Sequence, residues 1–192
     1  MSKYLETIKI YNQKVYNLEY HQKRVDTTIG QGKLELSSII QPTQKELTRC
    51  RIVYDEEGKY TIEYFPYKKR NIHSLKLVFC DDIDYDKKYE NREKLNELFG
   101  KKESCDDILI VKNGLVTDTS IANIAFFDGV NWLTPKTPLL EGTMRAKLLN
   151  EEKIYLADIP YQELNKFQKI ALLNAMIDFD IITKEKIEEV IC

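Results

Sequence analysis

Apolar and polar positions alternate over residues 5–10 and predict a strand, and 17–28 then carries a helical pattern with His21 and Arg24 one turn apart. Arg51-Ile52-Val53-Tyr54 and Tyr60-Thr61-Ile62-Glu63-Tyr64 flank Asp55-Glu56-Glu57-Gly58, where the glycine supplies the positive φ of a short hairpin loop. From 80 to 88 the chain turns polar and acidic, with Asp81, Asp82, Asp84 and Asp86 crowded together, as expected of a solvated crossing between domains. Beyond it, Leu95, Leu98 and Phe99 predict a helix over 91–99 that stops at Gly100. Asn113-Gly114, between apolar runs at 108–111 and 115–117, is a type I′ hairpin signal that leaves Asp118 just past a strand. A second hairpin follows, with strands at 123–127 and 130–133 around Asp128-Gly129, ended by Thr134-Pro135. Thr143 is a candidate cap for a helix through Leu148 and Leu149, residues 154–159 and 169–173 are further strands, and Thr183 caps a last helix facing Ile187, Val190 and Ile191 inward. The organisation predicted is a small α+β domain over 1–80, a crossing over 81–88 and a larger β-rich domain over 89–192.

Composition narrows the classes of function. The 192 residues are 43% hydrophobic and 31% charged, ordinary for a globular protein, and a formal charge of −2 gives no pull toward nucleic acid or anionic lipid. Met1-Ser2-Lys3-Tyr4 leads straight into the first strand without a signal-peptide core, and no apolar run reaches membrane-spanning length, so the expected place is the cytoplasm. Cys50, Cys80, Cys105 and Cys192 show no metal-finger or Cys-x-x-Cys spacing and are expected as reduced, mostly buried thiols. With only His21 and His73, no histidine-rich metal centre is expected.

Three separated segments carry the candidate chemistry: Lys88-Tyr89-Glu90-Asn91-Arg92, Asp118-Thr119-Ser120-Ile121-Ala122-Asn123, and Leu140-Glu141-Gly142-Thr143-Met144-Arg145. A lysine with cationic neighbours, here Lys87 and Arg92, is suited to a Schiff base with an aldehyde cofactor, because neighbouring cations favour its neutral amine. A lone carboxylate such as Asp118 keeps a pyridine nitrogen protonated. Gly142-Thr143-Met144 opening a helix offers backbone N–H donors to a phosphate, and Arg24 can add a guanidinium. Together these are the contacts that pyridoxal 5′-phosphate (PLP) requires. Taken singly, each has an ordinary explanation: an exposed lysine, an Asx-turn, a capped helix, a surface arginine.

On these residues the chain resembles the class IV aminotransferases, the fold-type-IV group of PLP enzymes, and within that group is most similar to the 4-amino-4-deoxychorismate lyases. The match also takes in Leu5-Glu6-Thr7-Ile8, His21-Gln22-Lys23-Arg24, Thr134-Pro135 and Leu173-Asn174-Ala175-Met176. The resemblance implies an α+β, two-domain fold of the D-amino acid aminotransferase-like type with a truncated N-terminal small domain, the larger domain binding the cofactor. It implies Lys88, chosen over Lys87 by the family spacing, as the catalytic residue that holds PLP and moves protons. Arg24, Asp118, Asn123, Gly142, Thr143, Met144 and Asn174 are the implied cofactor ligands. Asp118 stands where the family usually has glutamate, and Met144 where it often has threonine. The Ala175 backbone is implied for a substrate carboxylate, and Arg51 is a further candidate for that role. The implied reaction splits aminodeoxychorismate into 4-aminobenzoate and pyruvate, a step of folate biosynthesis. An aminotransferase for branched-chain or D-amino acids and a non-catalytic binding protein are the alternatives. The implied partners are a small amino substrate and a second copy of the chain in a homodimer, with no nucleic acid, membrane or metal.

Overall fold

The computed structural model describes residues 2–184 and 186–192, so Met1 and Glu185 of the segments considered above lie outside the described residues. The chain forms two compact units: one from residues up to Lys69 together with Lys87–Asn91, the other from Arg70–Asp86 and Arg92–Cys192. The chain therefore passes between them three times, and residues 70–86, placed by the sequence in the first domain and the crossing, pack with the second unit.

The first unit is built on β1 (Lys3–Tyr11), β2 (Lys14–Val15), β3 (Thr48–Asp55) and β4 (Tyr60–Pro66), in the sheet order β2-β1-β3-β4. The helices α1 (Leu18–Ile29) and α2 (Leu36–Ile39) lie between β2 and β3 in sequence. In β1 the buried phase is Tyr4, Glu6, Ile8 and Ile10, so one core position of a strand is filled by a carboxylate. From α1 come His21, Val25 and Ile29, four residues apart on one face. Val25 and Ile29 join Leu36, Cys50, Ile52 and Tyr54 in a single core. Gly58 takes φ 81° as the hairpin turn requires, and a side chain there would also meet the Lys33 carbonyl. The returning segment 87–91 runs along β1: the Leu5 N–H donates to the Lys88 carbonyl and the Glu90 N–H to the Lys3 carbonyl, both at 2.8 Å.

In the second unit β5 (Leu75–Phe79), β6 (Asp107–Lys112), β7 (Leu115–Thr119), β8 (Asn123–Phe127), β9 (Trp132–Pro135) and β10 (Tyr155–Ala157) form a continuous path. The last two strands, β11 (Lys169–Asn174) and β12 (Asp178–Ile181), extend it from β8. Helix α3 (Glu93–Phe99) precedes β6, and α4 (Thr143–Asn150) separates β9 from β10. β8 is the branch point. One of its edges pairs with β11 along its whole length, whereas the other is shared by β7 at Asn123 and β9 at Phe126 and Phe127. Both faces are covered: Ile124, Phe126, Ile170 and Leu172 enter the main core, and Ala125 and Leu173 meet Met144, Leu148 and Ile154 in a smaller one. Strands buried on both faces lose polar alternation, which is why β6 and β8 appear as unbroken apolar runs.

Several local expectations are corrected. The helix does end at Phe99 with Gly100 as its cap, but Gly100 is right-handed helical at φ −58° and opens a 3-10 turn through Lys102, which ends at Glu103 with φ 52°. Asp118 lies within β7, Thr134-Pro135 lies within β9, and Val130 stays exposed in the turn. β5 and β12 are strands that the sequence pattern leaves unassigned. In place of the last helix there is a 3-10 turn at Ile187–Glu189, and Thr183 Oγ1 accepts from the Ile170 N–H at 2.8 Å rather than capping. Ile187 and Val190 are nonetheless buried, because a short turn can satisfy that apolar spacing. Cys105 and Cys192, 87 residues apart, are joined as a disulfide, against the expectation of four free thiols. Their partnership depends on the Cys192 N–H bonding the Leu75 carbonyl at the sheet, which no spacing rule reveals. Cys50 and Cys80 remain thiols, and burial pushes Cys50 up to about 12. Among the described residues no helix is long and apolar enough to cross a membrane.

Candidate functional site

In the first unit Arg24 closes on a buried carboxylate, Lys88 is near enough for its charge to reach His21, and Arg51 lies elsewhere. Glu6 and His21 are both 0% exposed, with His21 Nδ1 donating to Glu6 Oε2 at 2.5 Å. Arg24, one turn further along α1, closes on the same carboxylate through Nε to Oε1 at 2.7 Å and Nη2 to Oε2 at 2.6 Å. This is a two-pronged fork, the strongest geometry available to a guanidinium. Burial alone pushes the Glu6 carboxyl up, but the Arg24 charge and the His21 hydrogen bond outweigh it and hold the group at about 2. Burial also lowers His21, against its hydrogen bond to Glu6, while the Arg24 and Lys88 charges lower it further. A neutral imidazole donating to an ionised carboxylate that faces one permanent cation leaves the cluster balanced. Lys88 is half-buried, and its main chain is fixed to β1 by the Leu5 bond. Arg51 has other partners: its guanidinium spans Glu63 and Glu90 at 2.9 Å each, on the partly exposed face of β3.

In the second unit the spacing of Asp118 and Asn123 is explained by a tight reversal. Thr119 bonds Ala122 through its backbone N–H at 2.9 Å, and its hydroxyl accepts from the Ala122 N–H at 3.1 Å. The turn sets Asp118 opposite Asn123 as the one Cα pair joining β7 to β8. Asn123 Nδ2 then donates to Asp118 Oδ1 at 2.7 Å and to the Leu140 carbonyl at 2.8 Å. Asp118 Oδ2 accepts from the backbone N–H groups of Leu139 at 2.8 Å and Leu140 at 3.0 Å. One carboxylate and one amide thus pin the loop that leads into α4. Burial pushes Asp118 up to about 6 despite these donors, because they are dipoles and not charges.

The α4 entrance is tight. The residue preceding the helix is Gly142, and no side chain caps the start; this corrects the expected Thr143 cap, since Thr143 is already the first helical residue. A Cβ at Gly142 would lie 2.0 Å from Asn123 Oδ1, so any side chain there would have to displace Asn123. The Met144 side chain is buried in the smaller core, leaving its main chain as the polar part at the helix start. Arg145 is buried, donates Nη2 to the Pro135 carbonyl at 2.8 Å, and has an Nε without a hydrogen-bond partner. Its charge helps to lower Asp118, as the last of the effects opposing burial. At the end of β11, Asn174 Oδ1 accepts from the Met176 and Ile177 N–H groups, and Nδ2 reaches the Ile121 carbonyl at 3.3 Å. The Asp118–Asn123 reversal, the α4 entrance and the Asn174-Ala175 turn therefore gather at one end of the second sheet.

The geometry thus groups the implied residues of each unit, Arg51 apart. A sequence model of class IV aminotransferases matches residues 93–184. An uncharacterized protein of Haemophilus influenzae Rd is 42% identical over 181 residues, covering 89% of this chain and 96% of that protein. A solved structure from Haemophilus somnus 129PT, provisionally assigned as a 4-amino-4-deoxychorismate lyase, is 38% identical with a TM-score of 0.83 and covers 92% of this chain and 97% of that one. The chain belongs to the class IV aminotransferase family. Its α+β architecture is that of the fold-type-IV PLP enzymes. A Mycobacterium tuberculosis aminotransferase of unverified activity, solved in a PLP-bound form, shares that fold at 13% identity and a TM-score of 0.74, covering 94% of this chain and 80% of that one.

Residues of these clusters to which the sequence reading gave no role are Glu6, the Leu139 and Leu140 N–H groups, and Arg145. The signal for Glu6 was present: it is in phase with Tyr4, Ile8 and Ile10, so a carboxylate occupies a core position. Backbone donors carry no sequence signal, because any residue supplies them.

Proposed function

We propose that this protein is a PLP-dependent 4-amino-4-deoxychorismate lyase that forms 4-aminobenzoate and pyruvate and acts as a homodimer. The observation that carries the reading is the 38% identity, over nearly the whole of both chains, to the provisionally assigned lyase from Haemophilus somnus. The residues present fit the cofactor in their chemistry. Asp118 accepts three N–H groups, and a carboxylate offers about four acceptor positions, so Oδ1 has capacity for a ring N–H. Arg24 is held by Glu6 along one edge of its guanidinium and suits a phosphate dianion. When bound, PLP supplies an electron sink that acidifies the carbon bearing the substrate amine.

In this reading Lys88 would hold the cofactor through its amine until the substrate amine replaces it, and the freed Lys88 amine would then take the proton from the amine-bearing carbon. In the first unit Arg24 also orients the phosphate. In the second, Asp118 would pair with the ring nitrogen and keep it protonated, and Asn123, bonded to Asp118 Oδ1, would keep that carboxylate aimed. With Gly142 leaving the α4 entrance open, the Thr143 and Met144 N–H groups and the Asn174 side chain would hold the phosphate. The turn that Asn174 fixes presents the Ala175 N–H to a substrate carboxylate.

The test is an absorption spectrum of the purified protein with PLP, in wild type and Lys88→Ala, followed by a pyruvate assay with aminodeoxychorismate. A visible band lost in the variant, with pyruvate released by wild type, is the expected result. Family membership favours a second reading, a class IV aminotransferase. Conversion of the cofactor to pyridoxamine phosphate by a simple amino acid, without pyruvate from aminodeoxychorismate, would replace the first reading by the second. Light scattering at working concentration tests the homodimer.

A further inference from the structure

Glu6 is the least expected residue of the first unit. It occupies a core position of β1 at 0% exposure, between Tyr4 and Ile8 in the buried phase. Well-packed apolar side chains in place of both Glu6 and Arg24 are often as stabilising as a buried ion pair, since both charges must leave water. What a carboxylate supplies, and a leucine does not, is geometry. The Nε–Nη2 edge of Arg24 is consumed by Glu6, so the guanidinium plane is fixed and Arg24 meets any further anion through its other edge. The same carboxylate sets the His21 ring by accepting from Nδ1, and the Lys88 charge is felt at His21. Arg24 is 14% exposed, so its cationic end reaches the unit's surface while its anchor stays inside.

We infer that Glu6 is a positioning residue: it holds Arg24 in place before any ligand arrives, so that the guanidinium recognises the phosphate group of the cofactor without first being ordered. The inference rests on the PLP reading and on Arg24 as its phosphate ligand. A long side chain loses its rotamer freedom on binding an anion, and one already clamped by a buried fork loses little more. The preference for a phosphorylated ligand therefore depends on a residue that never touches it.

The experiment compares the affinity of apoprotein for PLP and for pyridoxal, which lacks the phosphate, in wild type, Glu6→Asp, Glu6→Gln and Arg24→Lys. Glu6→Asp keeps the charge but withdraws the carboxylate by one methylene, which separates position from charge balance. Because both ligands are measured on the same protein, a general loss of stability cancels in the ratio. The PLP-to-pyridoxal preference should fall about tenfold or more in Glu6→Asp and Arg24→Lys, the size of one charge-assisted hydrogen bond. An unchanged ratio in Glu6→Asp, or a raised one in Glu6→Gln, overturns the inference. If wild type prefers PLP and only Arg24→Lys loses the preference, the inference fails while the cofactor reading stands. If wild type shows no preference and no Lys88-dependent band, both fail. Should the Glu6 variants not fold, NMR of the Arg24 Nε–H in wild type decides. A resonance already rigid without ligand and unchanged in order on adding PLP supports the clamp, and one that is mobile until PLP binds refutes it.

Discussion

Glu6 and Asp118, a buried carboxylate from each unit, shift in opposite directions. Glu6 faces the Arg24 guanidinium and the His21 imidazole and lies at about 2. Asp118 accepts from an amide and two backbone N–H groups and lies at about 6. Desolvation pushes both upward, and the difference is the kind of partner: a full charge offsets the loss of water, whereas three oriented dipoles offset only part of it. Glu6 is thus a finished structural ion pair. Among the described residues, Asp118 has no cation as a hydrogen-bond partner and feels only the weaker charge of Arg145, the condition in which a protonated ring nitrogen would lower its free energy.

The strongest way to break this comparison is to remove the anion from the first unit. Glu6→Leu leaves Arg24 facing a buried site without its partner and should cost about 3–5 kcal/mol in urea unfolding of the apoprotein. A loss below 1 kcal/mol would show that the pair is merely tolerated.

Acid titration separates the two groups by sign. The folded-state value of Glu6 lies below its ordinary 4.5, so its contribution of about 3 kcal/mol is present above pH 4.5 and is lost as pH falls through about 2. Asp118 lies above its ordinary 3.8, so its share of stability is complete below 3.8 and is lost, by about 3 kcal/mol, as pH rises through about 6. Acidifying apoprotein from pH 7 to 5 should therefore stabilise wild type. Asp118→Asn should be flat across that window, and Glu6→Gln should lack the loss below pH 4.5. A wild-type curve that falls steadily from pH 7 would contradict the account of Asp118.

Gly142→Ala sharpens the comparison on the second side. Its backbone, at φ −71°, accepts alanine, so the cost is the collision with Asn123 Oδ1 alone, about 1–3 kcal/mol, with the Asn123–Asp118 bond broken. Thermal unfolding measures the first, and the shift of the Asn123 side-chain amide in NMR the second. The smallest effect belongs to Arg51→Gln, which removes an arginine bound to two carboxylates at the surface rather than inside. It should change stability by less than about 1 kcal/mol, and a larger loss would remove burial as the reason for the strength of the Arg24 pair.

Much of the local structure was legible. The Asn113-Gly114 turn has the two positive φ angles, 51° and 78°, of the predicted hairpin, and α1 begins within a residue of its expected start. The family resemblance placed Asp118 and Asn123 in one candidate segment, and a four-residue reversal is why five positions bring them opposite each other. Other features were not legible, for reasons that differ. β5 pairs in parallel with β6 across 27 intervening residues, so no turn signal marks it. The last turn shares the apolar spacing of a helix without its length. Met144 was placed at the helix start, but nothing local showed that its side chain would fill the small core beside Leu173.

The sequence by itself determined the local turns, the strand phases and membership of a PLP-enzyme family, because these depend on residue types at short, fixed separations. Only the tertiary structure decided which carboxylate meets a cation and which meets dipoles, that Cys105 joins Cys192, and that a side chain at Gly142 would displace Asn123. Electrostatic environment and close approach are properties of distances between residues far apart in the chain, and those distances exist only once the sheets have formed.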